Sequence, residues 1–146
     1  MVAAAKRLSH EGFTVMPHIP ARVIKNQAML SDWLSMYQNE AGVDEALLLA
    51  GGSNEPKGDY DSSIQLIESG LFDKAGFKRL HIAGHPDGNK DIDPGGGIKN
   101  VSEALSWKQE FFKRTDAKMA ITTQFCFDAN VVKKWADDIK EGGIDI

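Results

Sequence analysis

Four strand-length runs of apolar or β-branched residues punctuate the chain: Phe13-Thr14-Val15-Met16, Ala46-Leu47-Leu48-Leu49, Leu80-His81-Ile82-Ala83 and Met119-Ala120-Ile121-Thr122. Each is too short for a helix and is flanked by polar or glycine residues, the pattern of a strand. Between the runs, apolar residues recur at helical spacing. Leu30, Trp33, Leu34 and Tyr37 fall on one helix face, as do Ile64, Ile67 and Leu71, and then Val131, Val132, Trp135 and Ile139 after the fourth run. The tryptophans, Trp33, Trp107 and Trp135, read as packing residues on such faces.

The junctions repeat a signal: Glu11-Gly12-Phe13, Ala41-Gly42-Val43, Ala75-Gly76-Phe77 and Glu141-Gly142-Gly143-Ile144. A glycine just past the last helical turn adopts the left-handed backbone that ends a helix, and the chain then enters a strand. Helix starts are marked by Ser62-Ser63-Ile64-Gln65, which has the form of a capping box, and by Asp128 as an N-cap. The predicted order is α-β-α-β-α-β-α-β-α, closing with Ile144-Asp145-Ile146 at the threshold of another strand.

Strict alternation implies parallel strands joined by right-handed crossovers, since parallel neighbours need a helix-length connection. An open doubly wound sheet would be marked by Gly-x-Gly-x-x-Gly after a strand, and no such segment is present. Instead, polar and glycine residues collect after every run: His18, then Gly51-Gly52-Ser53-Asn54, then His85-Pro86-Asp87, then Gln124. A barrel gathers such loops on one face. The expectation is an α/β chain of the (β/α)8 TIM-barrel type, one partial domain over residues 1–146 with four βα units, about half a barrel. A half barrel exposes two edges and an apolar inner face. The chain is therefore expected to be a fragment of a longer protein, or a half completed by association in a homo-oligomer that buries the open edge.

A content of 42% hydrophobic and 26% charged residues is that of a globular rather than a disordered chain. The net charge of −4, with Lys and Arg interleaved among Asp and Glu, argues against a nucleic-acid partner. No apolar run approaches the roughly 20 residues that span a bilayer, and MVAAAKRLSHEGF lacks the apolar core of a signal peptide. A cytoplasmic location with no membrane partner is expected. Cys126, between Phe125 and Phe127, reads as a small core residue rather than a nucleophile. The four histidines show no metal-ligand spacing, so no metal is expected.

Several loops, in order, resemble those of the flavin-dependent methylenetetrahydrofolate reductase family. Val15-Met16-Pro17-His18 is similar to that family's Pro-His after a strand, and Leu48-Leu49-Ala50-Gly51-Gly52 to its Leu-Arg-Gly-Asp turn, followed by a proline-containing loop and a tyrosine, here Pro56 to Tyr60. Ile82-Ala83-Gly84-His85-Pro86-Asp87-Gly88 resembles its Ala-x-x-Pro-Glu-Gly segment. Ile121-Thr122-Thr123-Gln124-Phe125-Cys126-Phe127-Asp128 resembles its Ile-Thr-Gln-x-x-Phe-Asp signature. The likeness runs essentially end to end.

The resemblance implies an FAD enzyme that takes hydride from NAD(P)H and passes it to methylenetetrahydrofolate, giving methyltetrahydrofolate in one-carbon and methionine metabolism. It places His18, Gly51, Gly52, Tyr60, Asp61, Ala83 and His85 at the cofactor and Gln124 at the folate substrate. Lys108 matches a lysine that neutralises the flavin diphosphate. The residue types are apt. Glycines 51 and 52 admit close approach of a ring or simply make a tight turn. Gln124 offers a donor and an acceptor to the amide edge of a pterin, or to loop backbone. His85 stands where it could stack on or hydrogen-bond a cofactor, whereas His81, inside a run, reads as structural. Lys108 shares a helix stripe with Val101 and Leu105, from which a lysine ordinarily snorkels to water.

Two departures bear on the chemistry. Ala50-Gly51-Gly52 lacks both the arginine and the carboxylate of the family turn, and a carboxylate near the isoalloxazine tunes its potential. The family's general-acid glutamate lies on a first strand outside this sequence, so no catalytic residue is assigned. Asp59, Asp61 and Asp87 could substitute by type, but loop carboxylates beside glycine are usually turn residues. Two other readings follow: a divergent folate- or flavin-binding relative in another, demethylation-linked one-carbon reaction, or a half-barrel assembly unit without catalysis.

Overall fold

The computed structural model describes residues 1–146. Its elements are α1 (Val2–His10), β1 (His18–Pro20), a 3-10 turn (Ala21–Val23), α2 (Gln27–Ala41), β2 (Glu45–Leu49), α3 (Ser63–Glu68), α4 (Leu71–Lys74), β3 (Arg79–Gly84), α5 (Lys99–Arg114), β4 (Lys118–Thr123) and α6 (Ala129–Glu141). The four strands form a parallel sheet in the order β1-β2-β3-β4, as the alternation of runs and helices requires. The chain divides into two compact units, residues 1–82 and 83–146.

In the first unit the register sets the core. Ile19 pairs with Leu48 and Leu48 with Ile82, which places three fully buried side chains in one row across the sheet. Burying an aliphatic side chain of this size contributes about 1.5–3 kcal/mol. Leu30, Leu34 and Tyr37 of α2 and Leu66 and Ile67 of α3 are buried as well. α2 packs on α1 and α4, and α3 on β2 and the 3-10 turn. The opposite strand faces carry polar residues: His81 Nε2 stands 3.1 Å from Glu45 Oε2, and Arg79 3.6 Å from Glu45 Oε1.

Helix ends follow local chemistry. Asn26 caps α2, its side chain accepting from Met29 N at 3.0 Å. Gly42, at φ 61°, closes the same helix, with its N–H and that of Val43 bonded to the Gln38 and Tyr37 carbonyls. Gln65 Oε1 accepts from Ser62 N at 3.1 Å in the anticipated capping box, and Asp128 accepts from Asn130 N at 2.8 Å.

Three expectations are corrected. Residues 13–16 form no strand, and Phe13 is 61% exposed. Pairing with β2 begins only where the Pro17 carbonyl accepts from Leu47 N at 2.9 Å, because a strand extends no further than its partner's free groups. His18 thus lies within β1 rather than in a loop after it. The stripe Ile64, Ile67, Leu71 is split between α3 and α4 by Gly70 at φ 65°. There Ser69 Oγ binds Leu66 O at 2.6 Å and accepts from Leu71 N at 3.3 Å, competing with the helical ladder. Cys126, finally, is half-buried on a loop between two exposed phenylalanines and is not a core residue.

In the second unit, β4 lies beside the end of β3, where Gln124 N donates to Gly84 O at 3.1 Å. α5 buries Val101, Leu105, Lys108 and Gln109. Gln109 Oε1 accepts from Asp145 N at 3.0 Å, and its Nε2 donates to the Asp145 carboxylate, which fastens the segment after α6. α6 buries no residue fully, yet Trp135 reaches Gly84 so closely that a Cβ there would stand 2.8 Å from its ring and 2.6 Å from Ile121 Cγ2. An alanine there would force Ile121 or Trp135 to shift.

Candidate functional site

Within the first unit, the loop after β2 is held against the segment after β1. Arg22 N donates to Ala50 O at 2.9 Å, Lys57 N to Arg22 O at 2.8 Å and Asp59 N to Lys25 O at 3.1 Å. Gly58 sits against the Lys25 backbone, where no Cβ could be accommodated. Arg22 completes the tie, with its Nε 2.7 Å from Asp61 Oδ1 and its Nη1 donating to Ser53 O at 3.0 Å.

This packing accounts for most of the residues that the resemblance placed at the cofactor in this unit. Gly51, at φ 97°, turns against Pro20, whose Cβ would lie 2.9 Å from an added Cβ. Gly52 is exposed with open space about it. Tyr60 is 8% exposed, and burial, then the Asp59 charge, raises its hydroxyl pKa, so it stays neutral. The Asp61 carboxylate is engaged by Arg22, while its N–H donates to Gln65 Oε1 at 2.6 Å. His18 is exposed on β1.

Within the second unit three of the named residues come together. Ala83 and His85, at and just beyond the end of β3, and Lys108 on α5 line one cavity of about 30 Å³, with Gly84, Ile92, Val101, Ala104, Leu105 and Trp135. Lys108 is only 7% exposed, and the apolar groups around it include Leu105 of its own stripe and Trp135 from α6. Its ammonium makes no ion pair or hydrogen bond, and desolvation lowers its pKa to about 8. His85 is lowered too, first by burial and then by the Lys108 charge, so the ring is neutral near pH 7. Its Nδ1 lies 3.4 Å from Asn89 Nδ2.

The loop 85–98 is shaped by its own bonds. Asn89 Oδ1 accepts from Asp91 N at 2.9 Å, and the buried Asp93 carboxylate accepts from Asn100 N at 2.9 Å and Val101 N at 3.1 Å, capping α5. Asp93 thus serves the helix and not Lys108. Asp93, Ile92 and Trp135 were not singled out as site residues from sequence. Asp93 ahead of three glycines and a helical stripe was the available signal, whereas nothing local marks Ile92 or Trp135 as cavity wall.

Gln124 stands outside this cavity, exposed, with Oε1 accepting from Phe125 N at 3.1 Å. Phe125 and Phe127, 74% and 96% exposed, meet edge to face at 4.8 Å. The Cys126 thiol is held above its ordinary pKa, chiefly by the Asp87 side chain, which disfavours a thiolate. No three His, Cys, Asp or Glu side chains are placed to hold a metal ion, and no helix is long and apolar enough to cross a membrane.

No protein-family model matches this chain.

A cavity of about 30 Å³ admits a water or two. It suits a group that reaches Lys108 with one or two atoms, such as phosphoryl oxygens, and is too small for an isoalloxazine. The Lys108 ammonium is a donor that such an oxygen could meet.

Proposed function

We propose that this chain is part of a methylenetetrahydrofolate reductase-like flavoprotein, a (β/α)8-type unit that binds FAD and takes NAD(P)H and a folate as substrates. The observation that carries the reading is that Lys108 of α5 lines one cavity with Ala83 and His85 from the end of β3, all three named from the resemblance. Bound flavin supplies the capacity to accept hydride from a nicotinamide and hand it on. The chain's part in this region is to meet the diphosphate: Lys108 offers a full charge in apolar surroundings, and His85 a neutral ring that donates or accepts a hydrogen bond. Gln124 and the exposed Phe125 and Phe127 belong to the folate in this reading, and a homo-oligomer or a longer chain completes the barrel.

The second reading, a divergent relative serving a demethylation-linked one-carbon reaction, is favoured by Gly52. At that turn the family's carboxylate is replaced by an exposed glycine with no atom within 4 Å of where its Cβ would be. The deciding experiment is to mix the purified chain with FAD, desalt it and record absorbance from 300 to about 550 nm. A retained flavin spectrum, lost in Lys108→Met, supports the flavoprotein. A colourless wild type shows that this chain alone does not hold flavin, and the same measurement on a longer chain then decides. Where flavin is retained, turnover of methylenetetrahydrofolate with NAD(P)H separates the first reading from the second.

A further inference from the structure

One residue, Arg22, touches the loop after β2 at four points, and its main chain and side chain divide the work. The main chain donates to Ala50 O at 2.9 Å and accepts from Lys57 N at 2.8 Å. With the bond from Asp59 N to Lys25 O, this attaches the start and the middle of the loop. The side chain reaches the other two points: Nη1 donates to Ser53 O at 3.0 Å, and Nε to Asp61 O at 3.2 Å and Asp61 Oδ1 at 2.7 Å. Between Ala50 and Lys57, Ser53 O is the one hydrogen-bonded group, and its donor is the guanidinium. The turn has no side chain of its own to do this, since it reads Ala50-Gly51-Gly52. Two successive glycines also leave its backbone more conformational freedom to lose than any other pair. A planar guanidinium, with donors in fixed directions and its side chain 22% exposed, bridges Ser53 and Asp61 at once.

We propose that the Arg22 side chain is the positioning residue of this loop: it fixes the Gly51–Gly52 turn and the Asp61 carboxylate in the arrangement that meets a ligand, while the main-chain bonds only keep the loop attached. The inference rests on the reading that Gly51, Gly52 and Asp61 meet the cofactor. Arg22 itself takes no part in the chemistry. Loss of the fork should free the turn and leave Lys57 and Asp59 bonded, because their acceptors are backbone carbonyls. Lysine keeps the charge but offers a single ammonium, which cannot reproduce the two-way bridge. A turn that occupies its binding arrangement a tenth of the time weakens affinity about tenfold.

The test compares wild type with Arg22→Ala and Arg22→Lys, both of which retain the main-chain bonds. NMR relaxation of the amides of residues 51–54 reads the order of the turn, and hydrogen exchange at Lys57 and Asp59 reads attachment. The expected order parameters are about 0.85 in wild type and below about 0.6 in both variants, with protection of Lys57 and Asp59 kept within about twofold. Should Arg22→Ala not fold, Arg22→Lys carries the comparison. A turn that stays rigid in Arg22→Lys, or protection lost together with the order, overturns the proposal. FAD affinity is then measured on whichever chain holds flavin, this one or a longer one. A Kd about tenfold weaker in Arg22→Lys ties the ordered turn to the ligand, and an equal Kd overturns that tie. If neither chain holds flavin, the flavoprotein reading falls, and the relaxation data alone decide whether Arg22 orders the turn.

Discussion

Lys108 and His85 line the same cavity, and the charge on Lys108 adds to burial in lowering the proton affinity of the imidazole. The two groups therefore titrate as neighbours. In Lys108→Met the electrostatic part is gone while burial remains, so the His85 midpoint should rise but stay below the ordinary histidine value. NMR titration of the ring protons in both proteins checks this, and an unmoved midpoint would separate the two side chains.

Burial of Lys108 opposes folding at neutral pH. The folded chain releases its proton at about 8 and the unfolded chain near 10.5, so between those values the unfolded state holds more protons and stability rises with pH. Below about pH 8 both states are charged, and the folded one bears the whole penalty, roughly 3 kcal/mol. Lys108→Met should accordingly be more stable than wild type by up to that amount at pH 7, with the gap closing toward pH 10. Urea unfolding of both proteins at the two pH values gives the difference directly.

Much of this arrangement was legible in the sequence, and the limits have physical causes. β2, β3 and β4 appear where the apolar runs placed them, since short apolar runs bounded by polar or glycine residues mark strands. β1 was misplaced because its start is set by where Pro17 meets Leu47, a long-range pairing that no local pattern records. The position of Lys108 on the Val101–Leu105 stripe was visible, but whether it reaches water depends on walls contributed by Ile92 and Trp135, from other parts of the fold. Likewise Asp61 is as suitable for a ligand as any loop carboxylate until Arg22, remote in sequence, is seen to hold it.

Gly84→Ala should destabilise the second unit by about 1–3 kcal/mol, because the added methyl would overlap Ile121 and the Trp135 ring. Gly52→Ala, with nothing near its Cβ, should stay within about 0.5 kcal/mol of wild type. Thermal unfolding followed by Trp fluorescence compares the two. Equal effects would mean that α6 gives way without resistance.

Cys126 should be alkylated slowly at pH 8, since the Asp87 side chain, foremost among several influences, holds its thiol protonated. Asp87→Asn removes that charge and should quicken the reaction with iodoacetamide by about 2- to 5-fold at the same pH. An unchanged rate would place Asp87 too far away to matter.

The tie between the loop after β2 and the segment after β1 changes how a protease should meet this molecule. With its glycines, a proline and lysine at position 57, the stretch 51–59 has the composition of a preferred nicking site. Cleavage requires a freely extended backbone, yet the Lys57 N–H is bonded to Arg22 O and the Asp59 N–H to Lys25 O, with Gly58 pressed against the chain between them. Trypsin can therefore cut at Lys57 only when those bonds open, so resistance at this loop reports the stability of the first unit around it.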